Sequence, residues 1–147
     1  MRAPFQILAV PYRFIKNGLY FCVFRRADSD IWQFIACGGE DNEKPIQAAP
    51  REIKEETGVT AEKLTELKSV AFVPAEVVAK NLRAHWDKNI FVIPEYSFAF
   101  ECNADPTISR EHSEYKWLPY NDARKLLKWD SNKVAMYEIM CRLRNYE

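Results

Sequence analysis

Glu52, Glu55 and Glu56 stand at i, i+3 and i+4 in the stretch "REIKEETGV". In a helix successive residues turn by about 100°, so the three carboxylates fall within roughly one quadrant of the surface. Like charges so close weaken a helix by about a few tenths of a kcal/mol per pair. A hard divalent cation reverses that sign. Mg²⁺ and Mn²⁺ prefer carboxylate oxygens and keep some of their waters, which leaves open positions for phosphate oxygens. Taken alone, "REIKEE" also reads as a solvated helix face that Arg51 and Lys54 partly neutralise. Its surroundings favour the metal reading: Gly38 and Gly39 precede it, Glu43 lies eight residues before Arg51, and Gly58 closes it.

Other side chains have suitable chemistry. Arg25 and Arg26 end an apolar run before the polar "ADSD", where they can clamp phosphate by charge-assisted hydrogen bonds or simply face solvent. Tyr12, Trp86, Tyr96 and Phe98 offer rings for stacking on a heterocycle, although packing is the commoner use of such residues. Glu111 and Glu114, in "SREHSEYKWL", are carboxylates outside the acidic helix that can reach a metal or take a proton; as ordinary loop acids they would only be solvated. Cysteines 22, 37, 102 and 141 form no CxxC pair, and two histidines are too few for a multi-histidine zinc site. Free thiols in a reducing cytoplasm are the expectation.

The elements that must position these groups are legible in outline. "FQILAVPYRFI" and "LYFCVFRR" read as strands joined at the turn "KNG", and Pro11 suggests an edge or a bulge in the first. "IWQFIA" is a short strand leading into a glycine loop. A helix is expected over Pro45–Thr57, with Pro45 in its first turn, Gly58 as its left-handed stop, and Ala49, Ile53 and Val59 toward the core. Pro50 should kink that helix or delay its start. "ELKSVAFVPAEVV" holds a strand, "RAHWDKNIFVIPEY" reads as a loop feeding the strand "YSFAFEC", and "EYKWLPYNDA" as a strand turning into a helix. Two amphipathic helices follow. In the second, Ser131 is the expected cap, and Val134, Tyr137, Met140, Cys141 and Arg144 share a face.

The chain has 147 residues, 48% of them hydrophobic, which suits one domain over 1–147 with its own core. The expected class is α+β, a mixed sheet between helices as an α/β/α sandwich. Charges balance at 21 basic and 21 acidic, so nothing draws the protein as a whole to DNA, long RNA or an anionic membrane. No window is long and apolar enough to span a bilayer, and no secretory signal is evident.

The central stretch resembles the Nudix box, Gly-x5-Glu-x7-Arg-Glu-apolar-x-Glu-Glu-x-Gly-apolar. Glu43, Arg51, Glu52, Ile53, Glu55, Glu56, Gly58 and Val59 match at the required spacings. Cys37 stands where the pattern has its first glycine, and Gly38 and Gly39 follow, so the loop is expected to keep its freedom through a shifted turn. The segments "RRADSDIWQ" and "EHSEYKWL…KWDSNKVAMYEI" extend the resemblance to the branch of the family that acts on pterin or deoxynucleoside triphosphates.

The resemblance implies a Mg²⁺- or Mn²⁺-dependent hydrolase of phosphoanhydride bonds that releases a nucleoside or pterin monophosphate and pyrophosphate. It implies Glu52 and Glu56 as main metal ligands, Glu55 as a third ligand or a water-orienting carboxylate, and an Arg51–Glu43 pair tying the loop to the helix. It also favours Glu111 over Glu114 as ligand or general base, because a Glu-His pair precedes the Tyr-x-Trp segment. Two other readings stand beside it: another small substrate, such as a dinucleoside polyphosphate or a nucleotide sugar, and a non-catalytic nucleotide sensor.

Overall fold

The computed structural model describes residues 1–144. Its strands are β1 (Arg2–Ile15), β2 (Gly18–Arg26), β3 (Trp32–Gln33), β4 (Ile35–Glu40), β5 (Glu62–Pro74), β6 (Val92–Glu101) and β7 (His112–Pro119). Its α-helices are α1 (Pro45–Thr57), α2 (Tyr120–Leu126) and α3 (Asp130–Arg144). The sheet is mixed: β1 runs parallel to β6 and antiparallel to β2 and β4, while β7 lies on β2 and β5 on β6.

β1 is the middle of the molecule. Ile7, Leu8, Ala9 and Val10 are all fully buried, so both faces of the strand are covered. Ile7 and Ala9 pack with Ala48, Ala49 and Ile53 of α1, whereas Leu8 and Val10 pack with Ala135, Met136 and Ile139 of α3. Period-two alternation thus divides one strand between two cores and puts helices on both faces of the sheet. This is the expected α/β/α layering.

The β1–β2 turn is tighter than "KNG" suggests. Lys16 and Asn17 adopt φ of 48° and 68°, the paired left-handed residues of a two-residue hairpin turn, and Gly18 already pairs with Ile15. Pro11 is not on an edge strand. Tyr12 C=O accepts from Cys102 N–H on the β6 side, so the Pro11 nitrogen points to the other side by alternation. There β1 exchanges partners, from β4 up to Ala9 to β2 from Tyr12 onward, and no ladder bond is due.

Four further expectations need correction. α1 begins at Pro45 and runs through Pro50 with no delay, because Pro50 lies on the exposed side of the helix. β6 starts at Val92, so the segment read as loop up to Tyr96 pairs with β5. The buried face of α3 carries Asn132, Ala135, Met136 and Ile139, while Val134 and Tyr137 are exposed. Helical period identifies a stripe but not which stripe meets the sheet. Ser131 lies inside α3, and the carbonyl of Trp129 accepts the first helical N–H groups, those of Asn132 and Lys133.

Two side chains of α3 fix it on the sheet. Asn132 Oδ1 accepts from Phe34 N–H (2.8 Å), the residue between β3 and β4. Glu138 accepts from Lys68 and Ser69 N–H (both 2.8 Å), two amides at the irregularity where β5 shifts register against β6. The start of α3 is thereby held beside the beginning of β4, and its middle against the middle of β5.

Candidate active site

Helix α1 presents the acidic residues, and its ends are fixed by local chemistry. Lys44 N–H donates to Gln47 Oε1 (2.8 Å) at the start, and Gly58, at φ 74°, donates its N–H to Lys54 C=O (2.9 Å) at the end. Ile53 is fully buried against the sheet, which turns Glu52 and Glu56 toward β4.

Single ligand atoms of Cys37, Glu52 and Glu56 lie within 4.8 Å of one another. Glu56 Oε2 accepts from Ser109 Oγ (2.6 Å) and lies 4.0 Å from His112 Nδ1. Burial raises the Glu52 carboxyl above its ordinary range, against the opposing hydrogen bonds from Arg51 and Cys37. Glu111 is raised as well, first by burial and then by the charges of Glu56 and Glu52. Burial lowers His112, and the Glu56 charge only partly opposes it. Half-buried carboxylates that destabilise each other's charge are the donor set a divalent cation relieves. The group fits such an ion.

Glu55 stands outside this group. It is 56% exposed on its side chain and meets Arg51 Nη1 at 3.3 Å. Arg51 is the organiser of the region. Its Nε and Nη2 donate in parallel to the two oxygens of Glu43 (both 2.8 Å), its Nη2 to Gly38 C=O (3.3 Å), and its Nη1 to Glu52 (2.8 Å). Glu43 also accepts from Glu40 N–H (2.8 Å), so a single carboxylate joins the chain after β4 to the helix.

The glycines do not form a flexible loop. Gly38 and Gly39 belong to β4, and Cys37 pairs with Ile7 of β1. A β-carbon at Gly38 would overlap the Arg2 guanidinium, and one at Gly39 the Phe5 ring. Their role is room for β1 side chains to cross the strand. The Arg2 guanidinium also donates to Phe5 C=O (2.6 Å).

A cleft of about 940 Å³ opens beside this cluster, and Cys37, Gly38 and Glu111 line it. Arg26 lines it too, while held to Asp28 by two hydrogen bonds of 2.8 and 2.9 Å. Arg25 does not; it binds Asp30 (2.8 Å) and Ser113 Oγ (3.1 Å). Glu114 pairs in register with Arg25 and is exposed away from the cleft. Tyr12 and Phe98 are core, Tyr96 packs beside the α1 core, and Trp86 Nε1 donates to Arg2 C=O (2.7 Å). None of the four lines the cleft. Arg2, Arg110, Phe72 and Trp129 do, and no sequence pattern marked them. They come together from β1, the approach to β7, β5 and the start of α3, so only the fold assembles them.

With this arrangement in view, comparison with known proteins is decisive. The NUDIX domain model matches residues 12–138. The chain belongs to the Nudix family. It is 34% identical over 145 residues to the Escherichia coli (strain K12) dihydroneopterin triphosphate diphosphatase, covering 95% of this chain and 93% of that enzyme. The structure of the E. coli dihydroneopterin triphosphate pyrophosphohydrolase superposes with a TM-score of 0.76 at 25% identity, over 96% of this chain and 97% of that one. A NUDIX hydrolase structure from Listeria monocytogenes str. 4b F2365 gives a TM-score of 0.83 at 40% identity, over 98% and 97% of the two chains. The chain is a Nudix hydrolase of the pyrophosphatase type. Among the described residues no helix is long and apolar enough to cross a membrane.

Proposed function

We propose that residues 1–147 act as one domain that hydrolyses a nucleoside or pterin triphosphate to the monophosphate and pyrophosphate, with Mg²⁺ or Mn²⁺. The observation that carries this reading is the convergence of Cys37, Glu52 and Glu56 within 4.8 Å beside a cleft lined by Glu111 and three arginines. Its substrate class follows the relative that matches over nearly the whole chain. Four free thiols support a reducing compartment, the cytoplasm.

Glu52 and Glu56 would hold the cation. When bound, it neutralises phosphoanhydride oxygens and makes water more acidic. Glu111, which lines the cleft beside that group, takes the proton that the attacking water loses. As the water oxygen bonds to phosphorus, the bridging P–O bond breaks and pyrophosphate departs. Arg2, Arg26 and Arg110 attract the phosphate chain into the cleft. Glu55 orients Arg51 from the exposed side and is outside the cation group. Arg51 and Glu43 act through Glu52, which Arg51 holds in place.

The test is product identification across dihydroneopterin triphosphate, GTP and dATP, with Mg²⁺, with Mn²⁺ and with chelator. Monophosphate and pyrophosphate, formed only with the cation, is the expected result. Release of inorganic phosphate, or turnover in chelator, overturns the proposal.

A further inference from the structure

One carboxylate in the cleft has no role in the reaction just described. Glu95 is 3% exposed, and its buried Oε1 has no hydrogen-bond partner among the described residues. Its Oε2 accepts from Gln6 Nε2 at 2.5 Å. Buried polar atoms are seldom left unpaired, and a buried carboxylate oxygen is a costly one to leave so. Both residues line the cleft that Cys37 and Glu111 also line.

The sheet explains their position. Gln6 precedes Leu8 by two residues and pairs in parallel with Glu95, so both point to the face that α3 covers. There the opening lies between Ala71–Pro74 of β5 and the start of α3. Phe72 and Trp129 stand in it as aromatic walls, 68% and 44% exposed. The Trp129 indole is fixed by its Nε1 donating to Gln33 Oε1 (3.1 Å). Exposed rings beside a buried, half-satisfied carboxylate form a site for a flat heterocycle with N–H donors on its edge.

We infer that Glu95, oriented by Gln6, reads the substrate's heterocycle and selects a ring with a 2-amino-lactam edge, as in guanine or a pterin, over adenine. That edge presents a ring N–H and an amino N–H side by side, which a carboxylate accepts in parallel. Each carboxylate oxygen can accept more than one hydrogen bond, so Oε2 keeps the bond from Gln6 while Oε1 and Oε2 meet the two donors. Adenine and cytosine place a ring acceptor beside their amino group, and that lone pair meets the carboxylate with repulsion. Uracil and thymine offer one N–H between two carbonyls. The inference rests on the proposed function in one respect, that the substrate carries a heterocycle.

The test separates the heterocycle from the phosphates. Calorimetric titration without metal, using neopterin, guanosine and adenosine as probes, should show wild-type binding of the first two at least ~10-fold tighter than adenosine, the scale of a lost charge-assisted hydrogen bond. Glu95→Gln should invert the order toward adenosine, because an amide offers one acceptor and one donor, the complement of adenine's edge. A merely structural role for Glu95 would weaken all three alike. Equal binding of guanosine and adenosine by the wild type overturns the inference, whether or not the variant folds. So does an unchanged ratio in a folded Glu95→Gln variant. A failed triphosphate assay with this preference intact would refute the proposed reaction and leave the subsite standing; hydrolysis without preference would do the reverse.

Discussion

Arg51 and Glu43 are joined by two parallel hydrogen bonds of 2.8 Å, and the same guanidinium donates to Glu52. Their side chains are only 26% and 22% exposed. The pair therefore sets where the acidic helix stands relative to β4. Glu43→Gln should lower stability by about 1–2 kcal/mol, the lower end for charged hydrogen bonds because the pair is partly solvated. Urea unfolding checks this. An unchanged midpoint together with unchanged kcat would remove the pair from the positioning of Glu52.

The same pair predicts a pH dependence. The hydrogen bonds from Arg51 hold the Glu43 carboxyl below its ordinary value. Its contribution is thus present above the unfolded carboxylate pKa, about 4.3, and is lost as pH falls through the lower folded value. The stability gap between wild type and Glu43→Gln should be widest near neutrality and should close in acid. A gap that widens in acid would contradict the assignment.

Glu111 has the opposite sign. Burial and the Glu56 and Glu52 charges raise its folded value, so its favourable contribution is complete below the unfolded pKa and is lost as pH rises through the folded one. Glu111→Gln should then raise the Tm of the metal-free protein at neutral pH while cutting kcat by at least ~10²-fold. Glu114→Gln, on the exposed side of β7 beside Arg25, should change little. Similar kcat in both variants would take the base role from Glu111.

Glu56→Gln should abolish turnover at limiting Mg²⁺ and leave a folded protein. Glutamine keeps the acceptor for Ser109 Oγ but loses the charge that holds a cation. Near-normal activity in that variant would remove Glu56 from the metal group.

Cys37 stands where the box has its first glycine, and its Sγ lies within 4.8 Å of a carboxylate oxygen of Glu52 and of Glu56. Burial, then the Glu52 and Glu56 charges, pushes its thiol up and away from the reactive thiolate. Cys37→Gly should hold activity within about tenfold, since no thiolate nucleophile is present to lose. Trapping a covalent adduct on Cys37, with complete loss in the variant, would establish thiol catalysis instead.

Local pattern carried the acidic helix. Pro45, Gly58 and the spacing of Glu52, Glu55 and Glu56 are short-range signals, and helix geometry turns them into a carboxylate face without help from the rest of the chain. Alternation likewise revealed the β1–β2 hairpin and a mixed sheet between helices. What alternation cannot supply is the neighbour. Pro11 reads as an edge residue until β1 is seen to exchange β4 for β2 beside it, and the stripe of α3 that meets the sheet depends on Asn132 and Glu138 finding amides of distant strands. Gly38 and Gly39 signal freedom in the sequence, but in the fold they make room for Arg2 and Phe5, residues more than thirty positions earlier. Glu95 is one carboxylate among many in the chain. Only the parallel pairing of β6 on β1 buries it beside Gln6, in a cleft that stretches far apart in the chain enclose.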